Sequence, residues 1–153
     1  MALATTQAVW RSGGGDQTRT AYCGSMVMAA QYYIADASSS GNVQISATNT
    51  NPVILPAGAV ILGITINDAG TGHIDMGYTT PSGVVETNTI LSNQSVAAVT
   101  ALATGATAGG VDFGTVMQAS QLTTITYAKN SDGAGTVGGV ITYYVADDGQ
   151  QNV

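Results

Sequence analysis

The run AVILGITIN at residues 59–67 sets the terms for what this chain can become. Val60, Leu62, Ile64 and Ile66 alternate with neighbours on the opposite face, and a period of two marks a half-buried β-strand. The same texture recurs from Tyr22 onwards. Residues 22–34 place Met26, Met28, Ala30, Tyr32 and Ile34 on one face, and Gly24 with two adjacent tyrosines favours a strand there. Val43, Ile45 and Ala47 alternate in 43–47, and further strands are expected over 73–79, 84–91, 122–128 and 137–146. Between them stand breaks rich in Gly, Pro, Asn and Ser: SSSGN, Pro56-Ala57-Gly58, DAGTG, TPSG and KNSDGAGT. The spacing predicts one hairpin joining 59–67 to 73–79 and a terminal hairpin joining 122–128 to 137–146. Residues 94–105 alone show helical spacing, through Val96, Val99 and Ala103, although Thr and Val are weak helix formers. Short strands, turn signals at the roughly 8–12-residue interval of sandwiches and the lack of a fixed repeat predict an all-β fold. The expected architecture is an antiparallel β-sandwich, jelly-roll-like, with an extended N-terminal arm.

The arm is residues 1–20, and residues 21–153 form the single sandwich domain. The first segment sustains no period of 2 or 3.6 and carries the triplet Gly13-Gly14-Gly15 between Arg11 and Arg19. The glycines read as a hinge. Trp10, the only tryptophan, is a large amphipathic ring that docks either on its own domain or in a partner's pocket. Trp10, Arg11, Gly13, Gly14, Gly15 and Arg19 are therefore the candidate partner-binding residues, and an acidic patch is the surface that two arginines would seek.

Composition narrows the function. Only 8% of residues are charged, against roughly 25% in an average soluble domain, so Thr, Ser, Asn, Gln, Gly and Ala must cover the surface. Such a chain suits a place in or on a large assembly. Three Lys+Arg against nine Asp+Glu cannot neutralise a phosphate backbone, which argues against nucleic-acid binding. No run approaches the 18 or so apolar residues of a membrane-spanning helix, and the N-terminal residues lack the basic and apolar regions of a secretory signal. With one cysteine, Cys23, there is no disulfide framework and no Cys-based zinc site, and Cys23 reads as a small residue in a strand.

Tests for chemistry fail in turn. The glycine triplet lacks the lysine of a P-loop and the spacing of a dinucleotide fingerprint. His73, Asp75 and Gly77 share a strand face, and a His-Asp pair could orient an imidazole or supply two metal ligands. No nucleophile motif and no second His or Cys completes that set, so the pair reads as the polar outer face of a hairpin. Asn130, Asp132 and Gly135 match three positions of a calcium loop, but Ala134 and Ile141 stand where position 5 and the bidentate Glu belong. Asp147 and Asp148 leave a looser calcium site open. No catalytic, cofactor-binding or metal residue is assigned, and the expectation is a non-enzyme. Tyr32-Tyr33 and Tyr143-Tyr144 each send one ring to either side of a sheet, where exposed rings stack on sugars or pack on a subunit.

The segment NPVILPAGAVILGITIN, the Gly-rich link to GHIDMGYTT and the two C-terminal strands resemble the small β-sandwich proteins of tailed bacteriophages, within them the capsid decoration (cement) proteins. The LPAG turn feeding an apolar strand, and Ile74, Met76 and Gly77, carry the likeness over about residues 50–145. The resemblance implies a homotrimer on the outer capsid surface, made in the host cytoplasm, that clamps adjacent subunits of the major capsid protein through extended termini. It implies no catalytic residues and no cofactor. Three features of the chain agree: low charge, few sites for trypsin-like cleavage, and an arm that could order itself on binding. The alternative is a receptor- or carbohydrate-binding module of a head or tail fibre, using Tyr32 or Tyr33.

Overall fold

The computed structural model describes residues 27–35, 40–43, 52–103, 109–129 and 135–146, which build two antiparallel sheets around one apolar interior. Among these residues the strands are β1 (Met28–Ile34), β2 (Gly41–Asn42), β3 (Ile54–Leu55), β4 (Ala59–Asp68), β5 (His73–Thr79), β6 (Val85–Ser95), β7 (Thr100–Ala103), β8 (Thr123–Lys129) and β9 (Val137–Val145). The first sheet runs β1-β9-β4-β7. In the second, β2 and β3 both lie on β8, followed by β5 and β6. Val43 and Val53 clip the two short strands together: the Val53 N–H donates to the Val43 carbonyl (2.6 Å), and both residues bond to Ile125 (2.9 Å each). Ile34, Ile61, Ile64, Ile66, Val137 and Ile141 of the first sheet meet Leu55, Ile74, Met76, Leu91 and Ile125 of the second in the core. The β-branched residues that favour strands are thus also the residues that fill the interior.

The all-β sandwich matches the expectation, and its connectivity is jelly-roll-like. Of consecutive strands only β5 and β6 pair with each other, through the 80–84 turn, where Thr80 N–H donates to Val84 O and Gly83 N–H to Thr80 O (3.0 Å each). Both expected hairpins are therefore replaced. β4 and β5 belong to different sheets, because β4 lies between β9 and β7 while β5 lies between β8 and β6. β8 and β9 are likewise in opposite sheets. Alternation fixes which face is apolar but not which edge a strand joins.

Two further expectations change. Residues 94–103 hold the end of β6, a crossing and β7, not a helix. Val96 is fully buried while Val99 is 69% exposed, so their three-residue spacing makes no common apolar face. In β4 a register shift between Ile61 and Gly63 makes Leu62 an extra residue. That bulge brings Ile61, rather than Leu62, into the core with Ile64 and Ile66. Val60 is buried apart from this cluster, where Val116 pairs with it.

β1 is tied down by an aromatic ring. Gly139 of β9 stands opposite Tyr32 on one side and Ile66 on the other. The Thr65 carbonyl swings over this glycine, and a Cβ there would collide with its oxygen and come within 3.0 Å of the Tyr32 ring. Tyr32 lies across the gap and donates its hydroxyl to the Thr65 carbonyl (2.8 Å), while the Thr65 hydroxyl takes the Val140 N–H (3.1 Å). Glycine leaves a hole in the sheet surface and the tyrosine fills it.

Candidate functional site

The arm residues singled out from sequence, Trp10, Arg11, Gly13, Gly14, Gly15 and Arg19, lie outside the described residues, as do Cys23, residues 130–134 and Asp147-Asp148. The described body supplies other surfaces, and the His73 face is the first. β5 carries His73 and Asp75, both half-buried, and Gly77, fully buried. Asp75 accepts the backbone N–H of Asn93 at 2.7 Å. This bond sits at a register shift: Ile74 pairs with Gln94 and Met76 with Leu91, so Ser92 and Asn93 together oppose Asp75. Asn93 adopts φ 52°, the left-handed region that asparagine tolerates better than most residues, and the carboxylate satisfies the N–H that the bulge frees. Asp75 thus holds the shape of β6. One position further, Gly77 admits the backbone of Glu86 and Thr87 so closely that any Cβ would collide with it. The end of the face at Gly77 is therefore covered rather than open.

Residues 109–121 form a strap between the sheets. Gly110 N–H donates to Ile90 O (2.9 Å) and Asp112 N–H to Thr89 O (2.8 Å), which covers the outer edge of β6. Further on, Met117 N–H donates to Ala59 O (3.2 Å) and Gly58 N–H to Gln118 O (2.6 Å), at the start of β4. Phe113 and Met117 enter the core. Tyr78 anchors the strap by donating to Met117 O (3.3 Å) and accepting from the Gln118 amide (3.2 Å). Burial raises the Tyr78 phenol above its ordinary pKa, with the Gln118 amide opposing. Tyr32 is raised further, by burial alone.

The rings expected to offer a sugar platform are largely committed. Tyr32 is core and bonded to Thr65, and Tyr33 is half-buried with its hydroxyl 3.4 Å from Thr136 Oγ1. Tyr127 and Tyr143 pack against the core and Tyr144 is half-buried.

What remains open is the outer face of the first sheet. One row across it reads Ala29, Thr142, Gly63, Ala103, and the next reads Gln31, Val140, Thr65, Ala101. Ala29, Gln31, Ala101 and Ala103 are exposed, and the residues between them are half-buried. Neither row contains an ionisable side chain. A row across the second sheet, Ile54, Thr124, Thr79, Val85, is uncharged as well, with Ile54 and Val85 both exposed. Sequence reasoning foresaw an uncharged surface but not this arrangement, because the face emerges only when four strands are set in register. The alternation of Ala with Leu in TALA, and of Thr with Tyr in ITYY, was its local signal.

No family model matches the chain, and neither a curated protein nor a solved structure matches it. Among the described residues no helix is long and apolar enough to cross a membrane.

Proposed function

We propose that this chain is a virion structural protein without enzymatic activity: a capsid decoration, or cement, protein. In this reading a homotrimer binds the outer shell of a phage head and bridges subunits of the major capsid protein. The observation that carries the proposal is the outer face of the first sheet, where Ala29, Gln31, Ala101 and Ala103 lie exposed in two rows with no charged residue. Small side chains let another backbone approach closely, and an uncharged face is covered without stripping water from an ion. A free monomer gains little from such a surface, whereas one held against neighbours needs no charge repulsion to stay soluble. The arm, with Trp10 and two arginines, adds reach, and a net charge of −6 suits the outside of a DNA-filled shell.

The test is to place a charge in the middle of the face. Ala101→Glu points outward from β7 and should leave the folded protein's melting temperature within a few degrees of the parent. Co-sedimentation with shells lacking this protein should fall by at least tenfold. Unchanged shell binding would remove the face from the proposal.

A further inference from the structure

We infer that the edge of β1 that no described strand covers pairs antiparallel with β1 of a second copy, about a two-fold axis at Gln31. The proposal concerns the isolated protein and does not rest on the capsid reading.

The sandwich has four sheet edges, and three are managed among the described residues. The edge of β6 is covered where the strap pairs with Thr89, Ile90 and Leu91. The edge formed by β2 and β3 is broken where the chain departs at Val43 and returns at Val53. β7 is four residues long. β1 differs from all three. It is paired with β9 over seven consecutive residues with no register shift, it lies at the end of its sheet, and no described strand lies on its other side. Residues 27–35, VMAAQYYIA, hold no charge and no proline, so the usual devices that blunt an edge are missing.

The side chains leave the edge open. Tyr32 leans inward across Gly139 to the Thr65 carbonyl, two strands away, and the Tyr33 hydroxyl reaches Thr136 at the start of β9. Both bulky rings of β1 thus turn towards its own sheet. Val27 is left 65% exposed at the strand's beginning, and Ala35 is exposed at its end.

The occupant follows from the order of residues. A two-fold centred on Gln31 sets Ala30 against Tyr32, Ala29 against Tyr33, Met28 against Ile34 and Val27 against Ala35. A small residue opposes each ring on both faces, and apolar residues meet at both ends. Centring the pair on Tyr33 would oppose two rings and use less of the strand. The register that uses the whole strand is also the one that fits by size. The result would join two four-stranded sheets into one of eight strands, with the uncharged rows continuing across the junction.

Directly opposed residues in an antiparallel pair have Cα atoms about 4.5–5.5 Å apart, within disulfide reach. In the full chain with Cys23→Ser, Gln31→Cys should oxidise to a disulfide-linked dimer, while Ala103→Cys on the opposite edge should stay reduced. The parent should sediment as an even number of protomers, a pair of trimers where the trimer of the capsid reading also forms. Gln31→Lys, which opposes two like charges at the axis, should halve that mass, with unchanged circular dichroism confirming the fold. A Gln31→Cys protein that stays monomeric under oxidation overturns the inference, as does a Gln31→Lys mass equal to the parent's. Those are the results expected if residues 1–20 of the same chain, or a capsid subunit, cover the edge instead.

Discussion

At the scale of single residues, two tyrosines and two glycines do what the chain's scarce charges cannot. Tyr32 and Tyr78 are buried, each bonded to a carbonyl, and each has its phenol raised above the ordinary value. The unfolded chain ionises them near about pH 10, while the folded chain keeps them neutral. Their contribution to stability is therefore complete below about pH 10 and is lost as pH rises beyond it. Denaturant melts between pH 8 and 11.5 should show this decline, and Tyr32→Phe should flatten it. At pH 7 the same substitution strands the Thr65 carbonyl and should cost about 1–2 kcal/mol. Gly139→Ala should cost more, about 3 kcal/mol, because the Thr65 carbonyl and the Tyr32 ring must both move. Gly83→Ala meets nothing within 4 Å and carries only the strain of φ 91°, about 1 kcal/mol. Urea titration of the three variants tests that ranking.

At the scale of elements, β1, β4, β5, β6, β8 and β9 were legible in the sequence; β2, read as part of a break, and β7, read with helical spacing, were not, and neither were the strands' partners. The alternation of Ile64 and Ile66 places these residues in the core as expected, and Ile74, Met76 and Tyr78 of β5 join them there. Pro56-Ala57-Gly58 is a turn, with Ala59 N–H bonded to Pro56 O (3.2 Å) and Gly58 at φ 77°. Strand pairing depends on residues far apart in the chain, such as Ile64 with Ile141, and no local pattern encodes it. Bulges were hidden for a related reason. Leu62 fits a period of two as well as Ile61 does, and only the register against Tyr143 and Thr142 reveals the extra residue. The His73-Asp75 pair reads in the sequence as a polar outer face, and what stays hidden there is that the carboxylate is engaged by Asn93, whose positive φ has no signature beyond residue type. Asp75→Ala should therefore loosen the β6 bulge, costing about 1–2 kcal/mol and raising hydrogen exchange at Asn93 before the core opens.

At the scale of the whole molecule, the low charge that was plain in the sequence acquires a location. Among the described residues it becomes uncharged rows on each sheet and one edge that no described strand covers, on a body whose other edges are short, interrupted or strapped. An isolated protein with such surfaces invites association, which a structural component of a shell would use. The arm is the other half of that proposal. Deleting residues 1–20 should leave a folded body with an unchanged melting temperature and weaken shell binding by at least tenfold. On the proposed reading the chain belongs to a phage, and the most direct measurement adds the full-length protein to purified shells of that phage, stripped of this protein, and follows occupancy by electron cryomicroscopy. Saturable density on the outer surface, bridging neighbouring capsid subunits and accompanied by a higher temperature of shell rupture, is the predicted result. Shells that stay bare at saturating protein, with an unchanged rupture temperature, would contradict it.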